Sequence, residues 1–518
     1  MSKPASILCA LSLLLSAVAA AAQERPHFAI ESDEAYDPSA VPAYAGEHAD
    51  IYEHIDGAVK QHTWELQRWM RQRSISAQND GILEMAQMLV DDLKDIGFGE
   101  AEMVPTGGHP GVWGYYDAGA ETTLLVYMMY DVQPVNPEDW DSPPFEAELV
   151  ENELGRAIMA RGASNQKGPE RAFLNALESV VAVRGTLPVN LMIAAEGEEE
   201  LGSPNYPRIV DAYEDRMREA DGVLFPMSVQ GPDGAANMLL GVKGILYFEM
   251  ESRGGEWGGP QRSEIHGSWK AIVDSPTWRL VQALGSLTTP DGNTIRVPGY
   301  YDGIRPPTEE EQQLINGAAL ERDEEQLREA AGVSHFIDGL EGRDAIVETL
   351  YMPTLNIDGI WSGYTGEGVK TILPHVATAK VDSRLPLGLD PDAALQKIRD
   401  YLDANGFSDI ELRKLSGYPG AQTSVHSGLA QAVISVYNKY LGAGGKLSVQ
   451  PRIAGSAPFY QFTERLGLPL VPAGLGYGRG AHAPNEIYLV EPAPGVPIAG
   501  LAEIEKAYVD LLYALSGQ

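Results

Sequence analysis

The stretch Asn190-Leu191-Met192-Ile193-Ala194-Ala195-Glu196-Gly197-Glu198-Glu199-Glu200-Leu201-Gly202-Ser203 runs from an apolar segment of strand length directly into four glutamates within five residues. Carboxylates that close together raise one another's pKa unless a cation or a hydrogen-bond donor stands among them. The strand before them and the Gly-Ser after them weigh against a plain solvated loop. Residues 124–129 and 223–225 are two more apolar runs that end where polar residues crowd, and a helical segment at 172–183 lies between the first run and Asn190. Strands alternating with helices predict an α/β sheet whose ligands gather at the strand ends.

Working outward, residues 49–97 carry helical spacing broken by the polar stretch 74–80, which predicts two helices. After Lys243 the character changes. Tyr247-Phe248-Glu249-Met250 reads as a strand. Ser275 and Pro276 then open a helix with Trp278, Val281, Leu284 and Leu287 on one face. Thr308 and Glu311 form a capping box for an acidic helix that continues irregularly to Ala331. Strand-like pieces at 354–357 and 378–383 and a helix over 391–404 complete a second, α+β unit inserted into the first. The expected division is a leader over 1–22, an N-terminal arm over 23–45, the α/β domain over 46–238 and 416–518, and the inserted unit over 239–415.

The 518 residues include 38 Lys and Arg against 73 Asp and Glu, a formal charge of −35, with 44 % hydrophobic and 21 % charged residues. That composition is globular, so whole-chain disorder is excluded. The acidity argues against nucleic acid and against an anionic membrane surface as partners. Lys3, the apolar run 7–22 and its closing alanines read as a secretory signal peptide, which implies export to a periplasm or beyond. The only cysteine, Cys9, falls inside that run, so no disulfide or thiolate chemistry is expected after cleavage.

Three other segments are dense in reactive residues: Met129-Tyr130-Asp131-Val132-Gln133-Pro134, Arg161-Gly162-Ala163-Ser164-Asn165-Gln166-Lys167-Gly168 and Gly480-Ala481-His482-Ala483-Pro484-Asn485-Glu486. Together with Glu264-Ile265-His266-Gly267-Ser268, Gly366-Glu367-Gly368-Val369-Lys370-Thr371 and Arg384 in Ser-Arg-Leu-Pro, they occur in an order that resembles the M20 metallopeptidases, close to the carnosinase-like dipeptidases. The resemblance spans roughly residues 50–515. It implies a zinc-peptidase-like α/β catalytic domain with an inserted ferredoxin-like lid that also forms a homodimer.

The resemblance also implies roles. Asp131 matches the aspartate that orients a zinc-binding histidine, but the histidine position holds Met129. The bridging aspartate falls at Asn165, and the other carboxylate of the first zinc falls near Met227. Neither methionine is expected to bind. Glu199 matches the general base, while Glu200 and His482 match ligands of the second zinc. Arg384 matches the grip on the substrate carboxylate, with Thr371 and Ser456 touching its polar groups, and His266 matches a group that reaches into the partner's site. Methionine thioethers are soft, neutral and ill suited to zinc in place of imidazole or carboxylate. The expected cofactor is therefore at most one zinc or manganese, on Asn165, Glu200 and His482.

The expected activity is hydrolysis of an amide bond in a dipeptide or N-acyl amino acid. Two alternatives stay open: a metal-independent acid/base enzyme using Glu199 and Glu200, and a non-catalytic protein that binds small acids. In the metal-free case Lys167 and Arg161 would supply positive charge, and His482 would pair with Asp131.

Overall fold

A computed structural model describes residues 25–442 and 444–517. The expected leader, Cys9 and the first residues of the arm lie outside the described residues. Helices α1 (Ala49–Arg71) and α2 (Ile82–Ile96) precede strands β1 (Glu100–Val104), β2 (Gly111–Tyr116) and β3 (Thr123–Met129). The polar break at 74–80 falls between the two helices, as their spacing predicts. After β3 come α3 (Lys167–Arg184), β4 (Asn190–Glu196) and β5 (Gly222–Pro226).

The inserted unit contains β6 (Gly244–Arg253), α4 (Pro276–Leu287), α5 (Glu309–Leu320), β7 (Asn356–Ser362), β8 (Val376–Leu385), α6 (Pro391–Ala404) and β9 (Glu411–Tyr418). Strands β6 to β9 form a four-stranded antiparallel sheet in the order β7-β8-β6-β9. Ser275 caps α4 by accepting from Trp278 N. The buried stripe of α4 is Leu280, Ala283, Leu284 and Leu287, packed with α6 on one face of that sheet. Trp278 and Val281 instead point outward, at 61 % and 41 % exposure. The helix carries two apolar stripes, and the sheet covers only one. Helix α5, with its Thr308–Glu311 box, packs against the described part of the arm, where Asn316 Nδ2 donates to the carbonyls of Ser32 and Glu34.

The chain returns through α7 (Gly428–Leu441), β10 (Leu470–Ala473) and α8 (Leu501–Ser516). Strand β10 completes a six-stranded sheet in the order β1-β2-β4-β3-β5-β10, parallel from β4 to β10. Along β3, Leu124, Val126 and Met128 enter a core with α1, α2, α3, α7 and α8, while Leu125, Tyr127 and Met129 enter another with Phe225, Phe459 and Phe462. Coverage of both faces is why these strands read as unbroken apolar runs. Met129 stands level with Glu196, and Pro226 with Ala473, so the reactive loops leave from one end of the sheet. Among the described residues no helix is long and apolar enough to cross a membrane.

Candidate active site

Glu196 ends β4 fully buried, accepting from Tyr127 Oη at 2.7 Å and Ser203 Oγ at 2.9 Å, and burial pushes it up to about 8. The chain then turns at Gly197, where a Cβ would lie 2.6 Å from the Tyr130 ring, so only glycine fits. Glu198 turns away to accept from His109 N and Asn205 Nδ2. The backbone N–H groups of Glu199 and Glu200 both donate to the Asp131 carboxylate, at 3.1 Å each. Asp131 thus anchors the glutamate loop. Burial pushes it up to about 7.

Glu200 is the meeting point of three loops. Its Oε1 accepts from Asn165 Nδ2 at 2.7 Å and its Oε2 from Gln133 Nε2 at 2.7 Å. His482 Nε2 lies 3.2 Å from Glu200 Oε2 and 3.2 Å from Asn165 Nδ2, and the bond to Glu200 raises the imidazole pKa. His482 therefore pairs with Glu200, which corrects the expected pairing with Asp131. The loops converge because the strands Gly155–Met159 and Ile487–Pro492 pair with Ile487 opposite Met159, which puts Glu486 beside Arg161. Buried Glu486 accepts from Arg161 Nη1 at 2.7 Å and from the N–H groups of Gly162, Ser164 and Asn165.

Neither expected cation reaches the glutamates. Arg161 is taken by Glu486, and Lys167 is buried with Nζ donating to the carbonyls of Trp69 and Gln72, its pKa lowered to about 7 by burial. Without them, burial and then the neighbouring Glu200 and Asp131 hold the Glu199 carboxyl well above the usual carboxylate range. Met129 is 2 % exposed in the apolar cluster of Tyr127 and Phe225. Its backbone N–H donates to Glu170, a buried carboxyl whose second oxygen has no hydrogen-bond partner among the described residues. Met227 follows β5 and donates its N–H to Ala473 O. Among the described residues no group of three or more His, Cys, Asp and Glu stands together in a way that could hold a metal ion. Of the five ligand positions that the sequence resemblance implies, two hold thioethers and Asn165 presents N–H rather than oxygen to Glu200, a donor set that does not fit a paired-cation centre.

The inserted sheet supplies the other wall. Arg384, Ile245 and Tyr418 are paired across β8, β6 and β9, on the face opposite the one that α4 and α6 cover. Arg384 Nη1 donates to Ser456 Oγ at 3.0 Å and Nε to Asp382 at 3.2 Å. Tyr418 stacks on Tyr460 at 5.8 Å, and its hydroxyl is held protonated by burial and then by the fields of Glu199 and Glu196. Strand β9 touches the glutamate loop directly, for a Cβ on Gly202 would lie 2.8 Å from Ser416 Oγ. His266 and Thr371 are together on an exposed edge, with Nε2 and Oγ1 3.4 Å apart. Gln133, Glu170, Glu486 and Tyr418 were not assigned roles by the sequence. Gln133 and Glu486 lay inside the reactive segments, but nothing local signalled Glu170 or Tyr418.

A sheet with carboxylates at its parallel strand ends and a lid that presents an arginine define a hydrolase of the two-domain peptidase type. The profile of peptidase family M20/M25/M40 matches residues 125–494, and the chain belongs to this family, whose members are hydrolases acting on peptide bonds. The Cys-Gly metallodipeptidase DUG1 of Candida albicans is 28 % identical over 433 residues, covering 78 % of this chain and 85 % of that protein. The human Beta-Ala-His dipeptidase is 30 % identical over 285 residues, 54 % of this chain and 53 % of that one. Among solved structures, the M20 family metallo-carboxypeptidase Sso-CP2 from Sulfolobus solfataricus superposes with a TM-score of 0.78 at 32 % identity, over 88 % of this chain and all of that one. Human carnosine dipeptidase 1 shares the fold at a TM-score of 0.72 and 23 % identity, over 90 % of this chain and 98 % of that one. The catalytic domain with an inserted lid agrees with the fold class read from the sequence. Members of the family normally use divalent metal ions.

Proposed function

We propose that the chain hydrolyses the amide bond of a small substrate ending in a free carboxylate, a dipeptide or an N-acyl amino acid. The observation that carries this reading is the Arg384–Ser456 contact, which joins lid to catalytic domain on the sheet face that also carries Tyr418. A guanidinium fork pairs both oxygens of a carboxylate. Glu199 in its ionised form takes a proton from water, whose oxygen attacks the amide carbon. The proton then passes to the leaving nitrogen as the C–N bond breaks. His266 of a second chain would steady the oxyanion, with Thr371 beside it, in a homodimer formed through the lid. The outward Trp269, Ile272, Trp278 and Val281 offer apolar surface for that contact.

The cation requirement is at most one zinc or manganese per chain. The second reading, acid/base chemistry by Glu199 and Glu200 without a metal, is favoured by the amide donors already seated on Glu200. Export is proposed from residues 1–22, and N-terminal sequencing of the secreted fraction tests it.

The test of function is a panel of dipeptides and N-acyl amino acids followed by product mass spectrometry, with Arg384→Lys alongside. Turnover with a raised KM for Arg384→Lys supports the reading. Acids that bind but never turn over, with Glu199→Gln leaving affinity unchanged, would make the chain a small-acid binding protein.

A further inference from the structure

We propose that the side-chain amides of Asn165 and Gln133 have taken over the place of the divalent cations at this centre, so that the chain takes up no zinc or manganese at Glu200 and His482. The inference concerns the same centre as the proposed hydrolysis and goes past its limit of one ion, but it is read without substrate.

A terminal ligand must turn a free carboxylate oxygen toward its ion. Here Glu200 Oε1 is closed by Asn165 Nδ2 and Oε2 by Gln133 Nε2, both at 2.7 Å, on a side chain only 4 % exposed. The imidazole nitrogen that would face an ion, His482 Nε2, is spent on Glu200 Oε2 at 3.2 Å. Four groups therefore satisfy one another where a metal would need them open. The main chain at Asn165 is held in place, its backbone N–H donating to Glu486 at 2.8 Å.

The remaining wall supplies nothing to recruit an ion. Met129 is sunk in the aromatic cluster, and Met227 brings a thioether where a carboxylate would serve. An ion entering here must shed its water for one carboxylate and one imidazole, whereas catalytic zinc takes three protein ligands. It must also break two charge-assisted hydrogen bonds on Glu200, the stronger kind. Amide donors meet the lone pairs of a buried carboxylate as a cation would, but they add no charge, which suits a centre that has lost two of its three carboxylate ligands.

The test uses the full chain, incubated with excess zinc, desalted and counted by inductively coupled plasma mass spectrometry, with calorimetric titration of zinc alone. Wild type is expected to retain well under one zinc per chain and to give no binding heat. The double variant Met129→His/Asn165→Asp, which returns two family-type donors, is expected to retain at least one zinc per chain and to melt higher with zinc than without. Wild type that retains one or more ions overturns the proposal. A folded double variant as indifferent to zinc as wild type overturns it too, because the amide at 165 would then not be what bars the ion. If the double variant does not fold, the wild-type count decides alone. Since no substrate is present, a chain that hydrolyses nothing leaves this outcome intact.

Discussion

Asn165 donates its side-chain amide to Glu200 Oε1 at 2.7 Å, at the position where the sequence resemblance implies a bridging carboxylate. An aspartate there would put two carboxylates in contact and call for a cation. The amide removes that need and turns a repulsion into a hydrogen bond. The consequences can be measured.

Gln133→Leu deletes one of the two amide donors on Glu200 and leaves its buried Oε2 only His482 Nε2, at 3.2 Å. Such a loss costs about 1–3 kcal/mol. Urea unfolding should register a drop of that order, and Gln133→Glu, which sets a second carboxylate against Glu200, should cost at least as much.

If Arg384 holds the substrate carboxylate as proposed, Arg384→Ala removes a charge-assisted pair worth about 1.5–3 kcal/mol, or roughly tenfold to a hundredfold in kcat/KM. Steady-state kinetics should place most of the loss in KM. An unchanged KM would move the carboxylate site elsewhere. Ser456→Ala should produce a smaller change in the same direction.

Glu199 must be ionised to act as a base, and its carboxyl is held well above the ordinary range by burial and by the carboxyls around it. The rate should therefore climb with pH beyond the point where an ordinary glutamate is already ionised. A kcat profile flat from pH 5 upward would remove Glu199 from the role. Glu199→Gln should abolish turnover while substrate still binds.

Glu311 offers a pH test of stability away from the site. Burial opposes its charged form, but Arg305 and Arg452 outweigh burial and hold the carboxyl down to about 2 from an ordinary 4.5. As pH falls the unfolded chain takes up this proton first, so the stabilisation is full above pH 4.5 and lost as pH falls through 2. The shift corresponds to something on the order of 3 kcal/mol. Denaturation of wild type and Glu311→Gln should differ most above pH 5 and converge towards pH 2.

If His266 serves the partner's site, neither Glu199→Gln nor His266→Ala chains should turn over alone, and mixing them should restore part of the activity. Failure to complement in a mixture that sedimentation proves dimeric would confine His266 to its own subunit.

Much of this was legible in the chain. The apolar runs at 124–129, 190–194 and 223–225 are strands because buried parallel strands need apolar residues on both faces, and helix α6 begins at Pro391 and ends at Ala404 as its spacing implies. The identities Met129, Met227 and Asn165 were enough to question the metal centre, because ligand chemistry belongs to the residue itself. What sequence could not decide was who pairs with whom. Helix α4 offered two apolar stripes, and only the packed sheet selected Leu280 and Leu284 over Trp278 and Val281. Asn165 meets Glu200 across 35 residues and His482 across 317. Gln133, Glu486 and Tyr418 gain their roles only when strand order brings separate loops to one end of the sheet. Hydrogen bonds act over about 3 Å, so their partners follow from where the strands place each loop, not from neighbours along the chain.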